Sequence, residues 1–265
     1  MDNRPIGVFD SGLGGLTVVD ALASTLPNES ILYVGDTARV PYGNKSKIRI
    51  QEFSNEIAHW LVDQDCKMIV VACNTASSLA LENLRSNFNL PIIGVITPGV
   101  NAAIKTTQTG SIGVLGTQGT IQSDAYGKKI RTANHEIAVL NQACPLFVPL
   151  VEDGWVSGDI PKSVAENYLQ PFLISNVDTL ILGCTHYPLL KSVISDVLGP
   201  KVYLVDSGVA TADSVQNVLQ EHELMADETP GEIHCYVTDS PDTFESLAGR
   251  FVNANIQSIS HIDIA

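Results

Sequence analysis

The sequence predicts an α/β protein made of two similar parallel-sheet lobes. Short apolar segments of strand length alternate with helix-like segments along the chain. That alternation puts helices on both faces of a parallel sheet. The second half of the chain also opens and continues much as the first half does.

The elements follow in order. Ile6 to Phe9 is a short apolar run ended by the turn Gly12-Leu13-Gly14-Gly15, and Leu16 to Leu26 reads as a helix. Ile31 to Val34 is the next strand. From Ser46 to Val62, the residues Ile50, Phe53, Ile57, Trp60 and Leu61 form one helical stripe. Met68 to Ala72 reads as a buried strand, Ala76 to Phe88 as a helix and Ile92 to Ile96 as a strand. Ile112-Gly113-Val114 then echoes Ile6-Gly7-Val8, and Thr179 to Cys184 echoes Met68 to Cys73. Gly208-Val209 echoes Gly99-Val100 at a similar distance beyond the cysteine. Any two βα units share some of this pattern, so repetition alone leaves a duplication open. Val148 to Val151 reads as a further strand, Glu221 to Glu232 as an exposed acidic loop, and Ile233 to Thr238 as a late strand. The chain is expected to cross between lobes near Thr97-Pro98 and Asp206-Ser207.

Composition bounds the function. Of 265 residues, 45% are apolar and 17% charged, a globular balance with chain enough for one large or two modest domains. The formal net charge of −14 repels phosphate backbones, so no nucleic-acid partner is expected. An anionic substrate would need local donors to overcome the same field. Apolar runs such as Met68 to Cys73 fall far short of the roughly 20 residues of a spanning helix, so no membrane partner is expected. Met1 to Pro5 lacks a basic segment leading into an apolar one, so no secretory signal is expected. Five cysteines without a CxxC pair argue for a reducing compartment, here the cytoplasm. A homodimer is compatible with the sequence but not fixed by it.

Cys73 and Cys184 each end a buried strand and precede a polar turn into a helix. Ligands of open parallel sheets bind at such strand ends. Helix N–H groups there can hold a carboxylate and lower a thiol pKa. A cysteine in an apolar strand can equally be a small hydrophobe. Two cysteines at equivalent points of a repeated unit favour function. Cys66, Cys144 and Cys235 lack this setting and read as structural. The turn after Asp10 is neither GxGxxG nor a Walker A loop. Asp10 with Ser11 suits a substrate ammonium, or else Asp10 simply caps the helix. Tyr42 and Gly43 lie in a polar loop after a strand. Glu152 follows an apolar run, and His186 stands beside Cys184, where it can exchange a proton with the thiol.

Four segments together resemble the signatures of glutamate racemases: Asp10 to Gly15, Gly35 to Gly43, Ala72 to Ala76, and Gly183 to Pro188. The likeness runs in order over essentially the whole chain and includes Pro149 to Glu152. It implies a cofactor-independent enzyme with two α/β lobes facing each other across the site, supplying D-glutamate for peptidoglycan. It further implies that Cys73 takes the α-proton of D-glutamate and Cys184 that of L-glutamate. Asp10, Glu152 and His186 match the family's assisting residues. Asp10, Ser11, Tyr42, Gly43, Asn74, Thr75, Thr185 and His186 match its substrate contacts. The first lobe would comprise residues 1–97 and 207–265, and the second residues 98–206. A pseudo-two-fold between the lobes would set the cysteines face to face. The chain lacks the long N-terminal extension of some members, so activation by a cell-wall precursor is not expected.

Three other readings bear on the same residues. Aspartate racemases share paired cysteines, but they tend to carry an acidic residue where His186 follows Thr185. Cys73, Cys184 and His186 could hold zinc, although their spacing is unlike that of zinc motifs. A non-catalytic amino-acid-binding protein would leave the two cysteines without a use.

Overall fold

A computed structural model describes residues 1–264. Each half of the chain begins with the same run of four parallel strands. The first comprises β1 (Ile6–Asp10), α1 (Leu16–Thr25), β2 (Ile31–Gly35), α2 (Lys47–Asp63), β3 (Met68–Val71), α3 (Asn74–Leu79), α4 (Leu81–Asn87) and β4 (Ile92–Gly94). The second comprises α5 (Ile96–Thr106), β5 (Ser111–Gly116), α6 (Gln118–Ser123), α7 (Ala125–Ala133), β6 (Ala138–Ala143), α8 (Phe147–Glu152), α9 (Asp159–Leu173), β7 (Thr179–Gly183), α10 (Lys191–Leu198) and β8 (Tyr203–Asp206). The chain then returns to the first sheet through α11 (Ser207–Glu221), β9 (Ile233–Val237), α12 (Pro241–Ala248) and β10 (Ser258–His261).

The six-stranded sheet has the order β10-β9-β2-β1-β3-β4 and the four-stranded sheet the order β6-β5-β7-β8. All pairings are parallel, with β1 between β2 and β3 just as β5 lies between β6 and β7. The shared order β2-β1-β3-β4 and β6-β5-β7-β8 is the structural form of the repetition in the sequence. In each sheet the strand order reverses between the first and third strand of the run. The crevice at that reversal, at the carboxyl ends, is where a doubly wound sheet binds its ligand. Asp10 and Cys73 stand there in one sheet, Thr117 and Cys184 in the other.

Both faces of the central strands are covered, which is why β1, β3, β5 and β7 are buried and mainly apolar. Ile6, Val8, Met68 and Val70 pack with α1 and α11, while Phe9, Ile69 and Val71 pack with α2 and α4. In the second sheet Ile112, Val114 and Ile181 face α5 and α7, and Leu180 and Leu182 face α9 and α10. Beneath the first sheet, buried Lys67 pairs with Glu29 and donates to the carbonyls of Asp2 (2.6 Å) and Leu224 (2.8 Å). This ties the N-terminus to the loop after α11. Among the described residues no helix is long and apolar enough to cross a membrane.

Three local expectations need correction. Val148 to Val151 lies in the short helix α8, not in a strand. Pro149 supplies no ladder N–H and suits the first turn of a helix. The helix expected over Ala76 to Phe88 starts earlier and breaks at Ala80 into α3 and α4. Ser78 turns its hydroxyl back onto the carbonyl of Thr75, competing with regular helix bonding, while the Ser77 hydroxyl ties the helix to the Val71 carbonyl at the end of β3. The strand from Ile92 ends at Gly94, because the Val95 N–H bonds to the Ser77 hydroxyl and Ile96 opens α5.

All five cysteines are buried and free. Burial pushes their thiols up from the ordinary value of 9.0, to about 12 for Cys66, Cys73 and Cys235, and upward also for Cys144 and Cys184. A folded thiol that keeps its proton after the unfolded chain has lost it makes stability fall with rising pH. Stability should therefore be unaffected by these groups below about pH 9 and decline as pH climbs toward about 12. Urea midpoints measured from pH 7 to 11 check this, and a midpoint that stays level through pH 11 contradicts it.

Candidate active site

The strand ends meet across one cleft of about 310 Å3. Asp10 ends β1 and is almost fully buried. Its carboxylate accepts from the Gly12 N–H (3.0 Å) and from the Thr185 hydroxyl (3.4 Å), and the Gly15 N–H lies near it. Burial raises its pKa, while the neighbouring His186 and these donors pull the other way. The turn after it is glycine-rich for a reason of space. A Cβ on Gly14 would lie 2.3 Å from Thr185 Oγ1 and 2.4 Å from His186 Nδ1. Neither Gly14 nor Gly15 has a positive φ, so close approach is what demands glycine there: the opposite lobe at Gly14, and Asp10 and Tyr33 of the same sheet at Gly15. Gly14→Ala should push Thr185 and His186 out of place and cost on the order of a hundredfold in kcat/KM. Steady-state kinetics beside a urea midpoint checks this; kcat/KM at the wild-type level would show that the turn does not set the site.

Cys73 follows β3 and occupies the cap position before α3, where its side chain makes no capping hydrogen bond but the nearby Thr75 and Ala76 N–H groups act to lower its pKa. Its Sγ lies 4.0 Å from Ser11 Oγ. Burial and the neighbouring Asp10 raise the thiol to about 12 against those donors. Cys184 follows β7, and its Sγ lies 3.9 Å from His186 Nδ1. Burial raises this thiol as well, opposed by the His186 N–H. The helix-end lowering expected from sequence is thus present at both cysteines and outweighed by burial.

His186 is buried, and its Nε2 lies 2.9 Å from Glu152 Oε1 at the end of α8. A carboxylate can only accept, so in neutral His186 Nε2 carries the proton and Nδ1 offers a lone pair to Cys184. Glu152–His186–Cys184 is therefore a continuous path for a proton. Asn74 donates to the Tyr126 hydroxyl (2.7 Å), which also bonds Ser207 (3.2 Å). Thr75 shares its hydroxyl with Thr117 (3.0 Å) and Thr120 (3.3 Å). Tyr42 is held by a hydrogen bond to Asp36, and a Cβ on Gly43 would lie 2.8 Å from Thr117 Cβ.

All the residues singled out from sequence line this one cleft: Asp10, Ser11, Tyr42, Gly43, Cys73, Asn74, Thr75, Glu152, Cys184, Thr185 and His186. Sequence reading missed Thr117 and Gln118, which also line it. Thr117 follows β5, the counterpart of β1, so the repeat itself marked the position. Tyr126 and Ser207 carried no sequence signal, since they act only through Asn74. Among the described residues lining the cleft there is no Lys or Arg, so an anionic ligand would meet neutral donors. Among the described residues no cluster of three or more His, Cys, Asp or Glu has metal-holding geometry, and Cys73, Cys184 and His186 do not form one.

Residues 6–215 match the model of the Asp/Glu/hydantoin racemase family. The chain is 46% identical over 262 residues to a glutamate racemase of Geobacter metallireducens, an alignment covering 98% of this chain and 97% of the relative. Its fold superposes on a glutamate racemase isoform of Bacillus anthracis with TM-score 0.96 at 40% identity, covering 100% of this chain and 99% of that one. It superposes on the glutamate racemase of Francisella tularensis, solved in complex with D-glutamate, with TM-score 0.94 at 42% identity, covering 100% and 99% of the two chains.

Proposed function

This chain belongs to the Asp/Glu/hydantoin racemase family, and we propose that it interconverts L- and D-glutamate without a cofactor, using Cys73 and Cys184 as opposed proton carriers. One observation carries this reading. The two cysteines end equivalent strands of two like-ordered sheets and line one cleft, each with a titratable partner behind it. Asp10 serves Cys73, and the His186–Glu152 pair serves Cys184. We take the lobes as residues 1–97 with 207–265, and residues 98–206, related by a pseudo-two-fold.

Each step balances. With L-glutamate bound, the Cys184 thiolate takes the α-proton: the C–H bond breaks, an S–H bond forms, and the electron pair passes into the α-carboxylate. Neutral donors from Asn74, Thr75 and Thr185 stabilise that charge. The Cys73 S–H bond then breaks and its proton joins the opposite face, giving D-glutamate and a Cys73 thiolate. The reverse reaction exchanges the roles. Burial alone favours the protonated thiol at both positions. The substrate ammonium brings a positive charge that favours the thiolate, and His186 Nδ1 can take the Cys184 proton. Asp10 and Ser11 suit that ammonium, and Tyr42 and Gly43 the rest of the substrate. The product's role is to supply D-glutamate for peptidoglycan in the cytoplasm.

Purified protein treated with chelator should interconvert L- and D-glutamate with nothing added. Aspartate, one methylene shorter, should leave donors in the cleft unpaired and react at least on the order of a hundredfold more slowly. Polarimetry with each amino acid checks this. A preference for aspartate, or activity that requires an added cofactor or metal, overturns the assignment.

A further inference from the structure

We propose that Phe251 and Arg250, in the segment between α12 and β10, position the His186–Glu152 pair that serves Cys184. The proposal rests on the two-cysteine reading above. Both nitrogens of the His186 ring are committed, Nδ1 toward Cys184 and Nε2 to Glu152. The remaining freedom of the ring is rotation and tilt, and Phe251 blocks it. The two rings meet nearly perpendicular, at 82° with centroids 5.5 Å apart. Such an edge-to-face contact favours one orientation. Phe251 is itself buried with Ala248 and Val252 in the core beneath α12, so it forms a rigid stop.

Arg250 holds the other member of the pair. Its Nη1 donates to the Glu152 backbone carbonyl at 2.8 Å. That carbonyl ends α8, where helix carbonyls lack intrahelical partners. The turn that follows leaves room for the guanidinium at Gly154, which has φ 80; a Cβ there would lie 3.1 Å from Nη1. Two adjacent residues attached to the six-stranded sheet thus reach across to the His186 ring and to the backbone of Glu152. Cys73 is served differently, by Ser11 and Asp10 of its own sheet. The Cys184 relay therefore takes these two supports from the other lobe, whereas the groups that serve Cys73 come from its own.

Phe251→Ala should lower kcat/KM about tenfold by loosening the ring, and Arg250→Ala roughly threefold through one lost hydrogen bond. Arg250→Lys, which keeps one donor, should recover most of that loss. L- and D-glutamate are enantiomers with an equilibrium constant of unity, so kcat/KM must fall equally in both directions. The discriminating readout is the isotope effect on kcat/KM with α-deuterated substrate. Cys184 removes the deuteron of L-glutamate, so a higher barrier on its side raises the isotope effect from L-glutamate. The same change lowers the isotope effect from D-glutamate toward unity. Val252→Ala, a core change in the same segment, should leave both isotope effects at wild-type values. Phe251→Leu keeps core bulk without the ring and carries the same comparison if Phe251→Ala does not fold. Isotope effects that stay unchanged, or move in the same direction from both enantiomers, overturn the proposal. Substantial activity in Cys184→Ala would instead overturn the two-cysteine reading itself.

Discussion

Cys73→Ala and Cys184→Ala should each lower kcat/KM for both enantiomers by on the order of 10³ to 10⁴, the range for loss of a positioned acid or base. Each substitution deletes one proton carrier, and the remaining thiol reaches only one face of the α-carbon. Because the equilibrium constant is unity, the loss must be the same from L- and from D-glutamate. The fold should survive, since each side chain is small and sits at a strand end rather than inside a sheet. Cys66, Cys144 and Cys235 are equally buried but lie outside the cleft. Replacing these by alanine should cost about 1 kcal/mol of stability each through a small cavity and leave turnover intact. The contrast separates chemistry from packing, because all five thiols share the same upward push from burial. A Cys73→Ala or Cys184→Ala enzyme with a large fraction of wild-type kcat/KM would refute the scheme.

The alternation of strands and helices was legible because a strand buried on both faces must be largely apolar, as Met68–Val71 is throughout and Thr179–Gly183 is from Leu180 to Leu182. The same rule misled at Val148 to Val151, where four residues are too few to tell a strand from a helix. Pro149 held the missing information. The glycines after Asp10 were visible as a turn, but their purpose was not. Gly14 is required by Thr185 and His186, which approach from the other half of the chain, and local pattern cannot report such a contact. Cys73 and Cys184 could be found because the repeat doubled their signal. Their electrostatics could not, because sequence shows a helix start and hides the depth of burial. Tyr126 and Ser207 support Asn74 from distant positions and bear no motif. Phe251 and Arg250 lie outside the signature segments, and only the fold brings them to His186 and Glu152.

The central claim is that two thiols act from opposite faces, and the fate of the α-proton tests it directly. Protiated L-glutamate is turned over in deuterated water, and the enantiomers are separated at low conversion for mass spectrometry. The thiols exchange with solvent before substrate binds, so Cys73 carries deuterium when Cys184 removes the α-proton. Early D-glutamate should therefore carry deuterium at the α-carbon, while residual L-glutamate stays mostly protiated. Starting from D-glutamate, early L-glutamate should carry the label and residual D-glutamate should not. A single mobile base would return the same proton to either face. Early product that is mainly protiated in both directions would contradict the assignment of Cys73 and Cys184 as opposed acid and base.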